Sequence, residues 1–491
     1  MYIGIDNGGS SVKAVLFDSK GAPVCQASEN LPLITPASGH TERDMEELYL
    51  ANTRILRKIT EQVDPKLIKG LATIGHGKGL YLWGKDGKPA ANGIYSADTR
   101  AWEYTEKWSK DGTSDKAFEK TYQSMLAMQP VPLLCWLRDN KPQIYANIRW
   151  IFECKDYVRF RLTGEAYAEL TDISGSSLLN LKTRNYDKEL LALYGLEEIY
   201  EALPPIKMAS DLCGKITAEA VKLTGLPEGL PVAGGMFDID ACAIAMDITD
   251  DENIAVIAGT WSINEYISET PVLNRSIMMN SMYCMDGYYL IEECSPTSMG
   301  NLDWFMKMFM PGVGYEEFNK LAEAVAPDEQ SLIFLPFIFG SNYNPRAKAT
   351  ILGMDSHHTR NHIARAILEG IVFCHKTHVE KLLQNRPKTN AIRLAGGAVK
   401  SPLCVQLFAD ILELPVETID ADELGTLGGA MAAAVAAGEF KDFKEAAKVM
   451  VKVKQRVLPN KQNFETYRKK YDMYSKASDA LDGFWGLYSQ I

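Results

Sequence analysis

Apolar and β-branched positions cluster almost from the first residue. Tyr2, Ile3 and Ile5 precede a short polar turn, and Val12, Ala14, Val15, Leu16 and Phe17 follow it. This pattern predicts two strands joined by a hairpin connection over Asn7 to Ser11. Gly8 and Gly9 are expected to supply the positive φ angles of such a turn. The pattern returns half a chain later. NIAVIAGTWSINEYI, residues 253 to 267, places an apolar strand before a small-residue turn, Gly259 to Ser262, and an alternating strand after it. Between the two, helix-like and strand-like segments alternate, as in the amphipathic stretch Met45 to Val63, the apolar run Ile68 to Ile74 and Asp156 to Thr163. The acidic turn DITDDEN, Asp247 to Asn253, reads as a joint. The expectation is two α/β domains, 1–247 and 248–491, each opening with a glycine-turn hairpin and facing the other across a cleft.

Asp6 does not fit a plain hairpin. It stands at the end of a buried strand, where an unpaired carboxylate is costly. A metal ion or water would relieve that cost, and consecutive N–H groups in a glycine turn form a nest for anions such as phosphate. Ser10, Ser11 and Lys13 would add donors. Two readings stand side by side: an ordinary Asn-Gly hairpin, or a phosphate clamp with a magnesium-facing Asp6. A second candidate is LPVAGGMFDIDACAIAMDI, residues 230 to 248, where a strand ends at Gly234 and Gly235 and Asp238 or Asp240 opens an alanine-rich helix. An N-cap aspartate is the plain reading; a general base for a sugar hydroxyl is the functional one. On the helix they open, Asp238 and Asp240 point apart, which favours one base over a shared-proton pair.

Other nucleotide motifs are missing. There is no GxxxxGK[ST], no HRD or DFG set, and GHGKG at 75 to 79 lacks the dinucleotide spacing. His375 and His378 stand three apart on an expected helix, Thr359 to Leu383, without a third ligand, so a packed helix face is the better reading.

Composition narrows the classes further. A chain of 491 residues, 46% hydrophobic and 23% charged, is long enough for two cores and has the balance of a soluble globular protein. A net charge of −11 with no basic run argues against a nucleic-acid surface. Nine scattered cysteines with no CxxC pair read as reduced, mostly buried thiols. No signal-like N-terminus and no span-length apolar run occurs, so no membrane partner and a cytoplasmic location are expected.

From end to end the chain resembles the FGGY carbohydrate kinases. The resemblance is carried by GIDNGGSSVKAVLFD at the start, YVRFRLTGE at 157 to 165, VAGGMFDIDACA at 232 to 243, IAGTWS at 257 to 262, ARAILEGIVF at 364 to 373 and LAGGAVKSPLCVQLFADILELPVE at 394 to 417. In the last segment the glycine pair, Ser401, Gln406, Ala409, Asp410 and Pro415 keep the family's signature spacing. The resemblance implies an α/β fold of two actin/hexokinase-like (ribonuclease H-like) domains flanking a catalytic cleft, with sugar and ATP as substrates, magnesium as cofactor and a homodimer as assembly. It implies Asp238 as catalytic base, with Asp6 and Asp238 beside the metal. Gly8, Gly9, Ser10, Ser11 and Lys13 approach the phosphates, Gly259 and Thr260 form a second phosphate loop, and Gly396, Gly397 and Ser401 border the adenosine. One departure is Leu133, where the family's first signature usually has lysine; it lies in an expected helical insert, away from the chemistry.

For the sugar, the resemblance points to His76, Gly77 and Lys78 and to Asp98 and Arg100. Lys78 departs from both the xylulose and glycerol patterns and suits a more oxygen-rich or carboxylated sugar; its plain alternative is a solvated loop lysine. For Asp98 and Arg100 the plain alternative is a surface ion pair worth little. GHGKGLYL, FDIDACA, GTWS, SPTSMGNLDWF at 295 to 305 and LPFIFGSN at 335 to 342 are most similar to the L-xylulose kinase branch, which includes kinases of 3-keto-L-gulonate. D-Xylulose, ribulose, gluconate and polyols stay open as substrates. A noncatalytic sugar sensor of the same fold would have lost Asp6, Asp238 or the phosphate loops, and a chaperone-type ATPase would carry a peptide-binding domain where the segment from Phe464 offers only a packed helix.

Overall fold

The computed structural model describes residues 1–329, 331–341, 344, 346–386 and 388–488; Asn342, the last residue of the LPFIFGSN segment, lies outside them. Two large sheets repeat one plan. In the first, Pro23–Asn30, Ser11–Phe17 and Tyr2–Asn7 form an antiparallel meander. Gly70–Gly75 and Pro231–Ala233 then add in parallel, and Leu212–Lys215 closes the edge antiparallel. In the second, Tyr289–Ser295, Ser262–Ser268 and Asn253–Ala258 form the meander, Ala391–Ala395 and Val416–Ile419 add in parallel, and Val453–Val457 closes the edge. The two hairpins expected from the hydrophobic pattern therefore hold equivalent, central places. Their first strands are covered on both faces, which is why they read as near-continuous apolar runs.

The helices follow their caps and apolar stripes. Asp44 accepts the N–H of Glu47 and starts the helix Met45–Thr60, which buries Leu48, Ile55, Leu56 and Ile59. Thr359 caps the long helix Arg360–Asn385. His375 and His378 face inward from it: His375 lies 3.0 Å from Ser262 Oγ and 2.8 Å from Ser298 Oγ, and His378 lies 2.9 Å from a Glu293 carboxylate oxygen. They are packed, bonded core histidines, as expected. Leu133 is buried in the helix Pro130–Asn140, and the C-terminal helix Phe464–Tyr488 turns Tyr467 and Tyr474 inward. All nine cysteines are free and six of them are buried. No helix among the described residues is long and apolar enough to cross a membrane.

The helix Leu424–Ala436, which lies in sequence between the last two strands of the second sheet, packs on Tyr2–Asn7 and Gly70–Gly75 of the first sheet and on the helix Asp238–Ala245. The approach is backbone to backbone. A Cβ added to Gly4 would stand 1.8 Å from the carbonyl oxygen of Thr426, and one added to Gly428 would stand 2.3 Å from that of Ala241. The alanine run of this helix follows from the same lack of space. Gly4→Ala is accordingly expected to lower the unfolding free energy by ~2 kcal/mol or more, the scale of overpacking a tight site. Gly483→Ala, in open space on the C-terminal helix, is expected to be neutral or to stabilise by up to ~1 kcal/mol. Urea unfolding of both variants beside the parent checks the contrast, and an unchanged midpoint for Gly4→Ala would show that the seam relaxes.

Candidate active site

Asp6 ends the first strand with its carboxylate buried and Oδ1 without a hydrogen-bond partner. Burial pushes its pKa up to about 6, against the pull of nearby Lys13 and with a further push from Glu423. The ammonium of Lys13 lies 2.6 Å from Glu423 Oε1, at the N-cap of Leu424–Ala436, so it joins the two halves of the chain as well as bordering the turn. Neither Gly8 nor Gly9 has a positive φ, contrary to the sequence expectation. The demand at Gly9 is for space: an added Cβ would lie 2.5 Å from the hydroxyl of Tyr95. Fully buried Arg43 donates to the carbonyls of Gly8 (3.0 Å) and Gly9 (2.5 Å), and the Ser10 carbonyl accepts from Leu31 N–H. With these carbonyls held, the N–H groups of Gly9 and Ser10 have no protein acceptor among the described residues, the arrangement of an anion nest.

Asp238 is placed by a network that reaches far along the chain. Arg159 donates to the carbonyl of Gly234 at 2.5 Å, and the N–H of Phe237 donates to Thr171 Oγ1 at 2.9 Å. Thr171 in turn donates to Glu169 at 2.7 Å. Asp238 then begins the helix Asp238–Ala245 without capping it, so the plain N-cap reading fails. Burial, then the charges of Asp6 and Asp172, push the Asp238 pKa up to about 8, while Lys78 pulls it down. Asp240 diverges as expected: it is fully buried, with both carboxylate oxygens unpartnered and its pKa raised by burial and by Glu169, Glu265 and Glu292.

The loop His76 to Lys78 locks onto the same turn. A Cβ on Gly77 would lie 2.6 Å from the ring of Phe237 and 2.9 Å from Asp172 Oδ1. Lys78 has a φ of 66°, and its Nζ sits 4.9 Å from the centroid of the Phe237 ring, a cation–π contact made by the residue just before Asp238. Lys78 is thus no freely solvated loop residue. His76 is buried, with Nε2 3.0 Å from the hydroxyl of Tyr81 and Nδ1 unpartnered; burial holds its pKa down to about 3, so the ring is neutral. Beneath the loop, Lys155 Nζ is 2.9 Å from Asp156, 3.2 Å from Glu169 and 3.4 Å from Asp172, all of them fully buried side chains.

Asp98 and Arg100 do form an ion pair, but not the surface pair weighed from sequence. Asp98 is fully buried, accepts the N–H of Thr41 at 2.7 Å and holds the Arg100 guanidinium at 2.8 to 3.0 Å. Arg100 also reaches Glu42 at 2.8 Å. The pair is committed to bracing the loop that carries Tyr95, and the Asp98 oxygens are taken.

A cavity of about 380 Å³ in the second half is lined by Gly259, Thr260, Met299, Asn319, Gly397 and Ser401, among others. Ser401 caps the helix Pro402–Leu412 by accepting the N–H of Cys404 and donates to Asn319 Oδ1 at 2.9 Å. Gly396 stands behind the cavity with a φ of 86°; a Cβ there would be 2.5 Å from the carbonyl oxygen of Ala258. The two hairpin turns and the two glycine signatures thus form two clusters. The start of the helix Leu424–Ala436 reaches the first of them, since a Cβ on Gly425 would be 3.5 Å from Asp6 Oδ2.

Arg43, Tyr95, Asp172, Phe237, Met299 and Asn319 were not singled out from sequence. Arg43 stands in TERDMEE, where the visible signal is the Asp44 helix cap; nothing local marks an arginine that supports a turn 34 residues away. For Asp172 a signal existed in TDISGS, a carboxylate inside a small-residue turn.

Comparison with known proteins gives the same assignment. The model of the N-terminal domain of the FGGY family of carbohydrate kinases matches residues 1–245, and that of the C-terminal domain matches residues 254–437. A probable L-xylulose kinase of Pasteurella multocida is 35% identical over 98% of this chain and 99% of its own. The L-xylulose/3-keto-L-gulonate kinase of Escherichia coli is 35% identical over 98% and 97%. Among solved structures, a ligand-bound xylulose kinase from Lactobacillus acidophilus superposes with a TM-score of 0.93 at 27% identity, covering 99% of both chains. With an unpartnered buried carboxylate at one hairpin turn and a glycine-lined cavity at the other, this chain is a member of the FGGY family of carbohydrate kinases, an enzyme that transfers a phosphoryl group from ATP to a sugar.

Proposed function

We propose that the sugar is L-xylulose or a related keto sugar such as 3-keto-L-gulonate. The observation that carries this reading is the end-to-end 35% identity to relatives bearing those names, against 27% for the xylulose kinase of Bacillus subtilis. In this reading residues 1–247 hold the sugar and residues 248–491 the nucleotide, the enzyme acts in the cytoplasm, and it self-associates as a homodimer. D-Xylulose, ribulose, gluconate and polyols are the competing substrates.

The chemistry assigned to the residues is in-line transfer. Asp238 takes the proton of the reacting sugar hydroxyl as its oxygen attacks the γ-phosphorus; the bond to the β–γ bridging oxygen breaks and ADP leaves. Asp238 must be ionised to do this, and Lys78 is the cation of the chain that favours its ionised form. Lys78 and the backbone of Gly77 border the sugar, with His76 packed behind them. The N–H groups of Gly9 and Ser10, the hydroxyls of Ser10 and Ser11, and Lys13 face the phosphates from one side; Gly259 and Thr260 face them from the other. Gly396, Gly397 and Ser401 border the adenosine. Asp6, buried with an unpartnered oxygen, and Asp238 fit a hard divalent cation with oxygen ligands. Magnesium held there would neutralise charge on the phosphate oxygens.

Asp238→Asn is expected to keep ATP and sugar binding while lowering kcat by roughly 10²-fold or more, the scale of a lost general base; near-normal turnover would remove Asp238 from that role. Lys78→Met is expected to change sugar preference more than ATP affinity. Because Lys78 lowers the Asp238 pKa, the acidic limb of kcat/KM against pH should also move to higher pH in that variant. A change in ATP affinity alone, with the limb unmoved, would place Lys78 outside the sugar site. The substrate itself is tested by ADP release over ketopentoses, keto-acids, polyols and gluconate. Preference for L-xylulose or 3-keto-L-gulonate is expected, and preference for another sugar would sink the substrate assignment while keeping the kinase.

A further inference from the structure

Of the seven histidines in the chain, His357, His358 and His362 fall within six residues, at the loop that enters the helix Arg360–Asn385. His76, His375 and His378 are buried in the networks described above, and His40 packs edge-on against Trp136. The rings of His357 and His358 stack with centroids 4.2 Å apart and planes 28° from parallel. One carboxylate lies between them. Asp355 Oδ1 contacts His357 Nδ1 and is 3.1 Å from His358 Nδ1, and one donor atom from each of the three residues lies within 4.8 Å of the others.

We propose that Asp355, His357 and His358 form a surface binding site for a divalent transition-metal ion of the zinc class, built from none of the residues of the catalytic cleft. Two imidazole nitrogens with one carboxylate oxygen form a donor set for zinc, nickel or copper, whereas magnesium takes oxygen ligands and keeps its waters. With metal–ligand distances of ~2.0–2.2 Å, donors on a tetrahedron sit ~3.4 Å apart, and the Asp355–His358 separation of 3.1 Å is already close to that. His357 is 65% exposed and free to turn toward the ion. His358 Nδ1 accepts the Asp355 N–H at 3.1 Å, a bond that the ion would replace. His362 uses Nδ1 to accept the Thr359 N–H, which leaves Nε2 as a further donor, with its ring edge-on 5.4 Å from that of His358.

Two features oppose a cation here: the N-terminus of the helix Arg360–Asn385 and the charge of Arg360 itself. The helix effect is confined to the first turn and screened by salt, and the site carries the negative charge of Asp355 itself. Coordination would fasten the loop from Gly353 to Thr359, which joins the strand Thr350–Leu352 to the long helix. The ion would then stabilise the native chain by mass action.

The full chain, stripped with EDTA and dialysed, should be titrated with zinc chloride by calorimetry alongside the His357→Ala and Asp355→Asn variants. The parent is expected to take up one equivalent that both variants lose or bind at least ~10-fold more weakly, since even an outer group supporting a ligand contributes that much. Copper added to the parent should give an electron paramagnetic resonance spectrum with nitrogen hyperfine splitting from imidazole, unaffected by excess magnesium and absent in His357→Ala. Equal zinc uptake by parent and His357→Ala would assign the ion to the cleft carboxylates and overturn the proposal. A copper spectrum with oxygen ligands alone, or no saturable uptake at all, would overturn it as well. His357 is exposed, so its replacement leaves the fold in place for the comparison.

Discussion

The structure hinges on a backbone contact between the two halves of the chain. The helix Leu424–Ala436 can lie on the first sheet only because Gly4 leaves room for the carbonyl of Thr426, and on the helix Asp238–Ala245 only because Gly428 leaves room for that of Ala241. Side chains of any size would hold these elements farther apart, since interiors are close-packed and have no slack to absorb a misplaced methyl group. That closeness brings Glu423 to Lys13 and the start of the helix to Asp6. An N-terminus delivered there adds partial positive charge beside Asp6, the kind of place that suits an anion.

Around this seam the protein holds a high density of buried carboxylates. Lys155 and Arg159 neutralise Asp156, Glu169 and Asp172, whose separate burial would each be expensive. Asp6 and Asp238 are left without such a partner, and burial raises both. The difference is functional: a carboxylate already paired has no capacity for a substrate proton or a metal, and Asp98, saturated by Arg100 and the N–H of Thr41, illustrates it. Raised, unpartnered carboxylates are candidates for function, a class that here also holds Asp240.

The relay from Glu169 through Thr171 to the N–H of Phe237 ties together segments some 66 residues apart. Phe237 then presses on Gly77 and receives Lys78, so the loop His76 to Lys78 and the turn before Asp238 are packed against each other. On the nucleotide side, Ser401 serves two ends at once: it caps Pro402–Leu412 and it braces Asn319 at the cavity wall.

By itself the sequence determined what is encoded over short spans. The paired hairpins, the capped helix after Thr359, the inward histidines of that helix and the glycine signatures were all legible, because period, caps and turn residues act between neighbours a few positions apart. Between Asp238 and Asp240 the local pattern marked only that a carboxylate opens the helix, and the family resemblance chose Asp238. The tertiary structure alone decided why Gly9 must be glycine, since the obstacle is Tyr95 and not a backbone angle. It alone showed Arg43 beneath the turn at Gly8 and Gly9, Asp98 closed off by Arg100, and a helix from late in the chain lying on its first strand. These depend on which distant backbones meet within a few ångströms, and no local pattern in a sequence records where another part of the chain will come to rest.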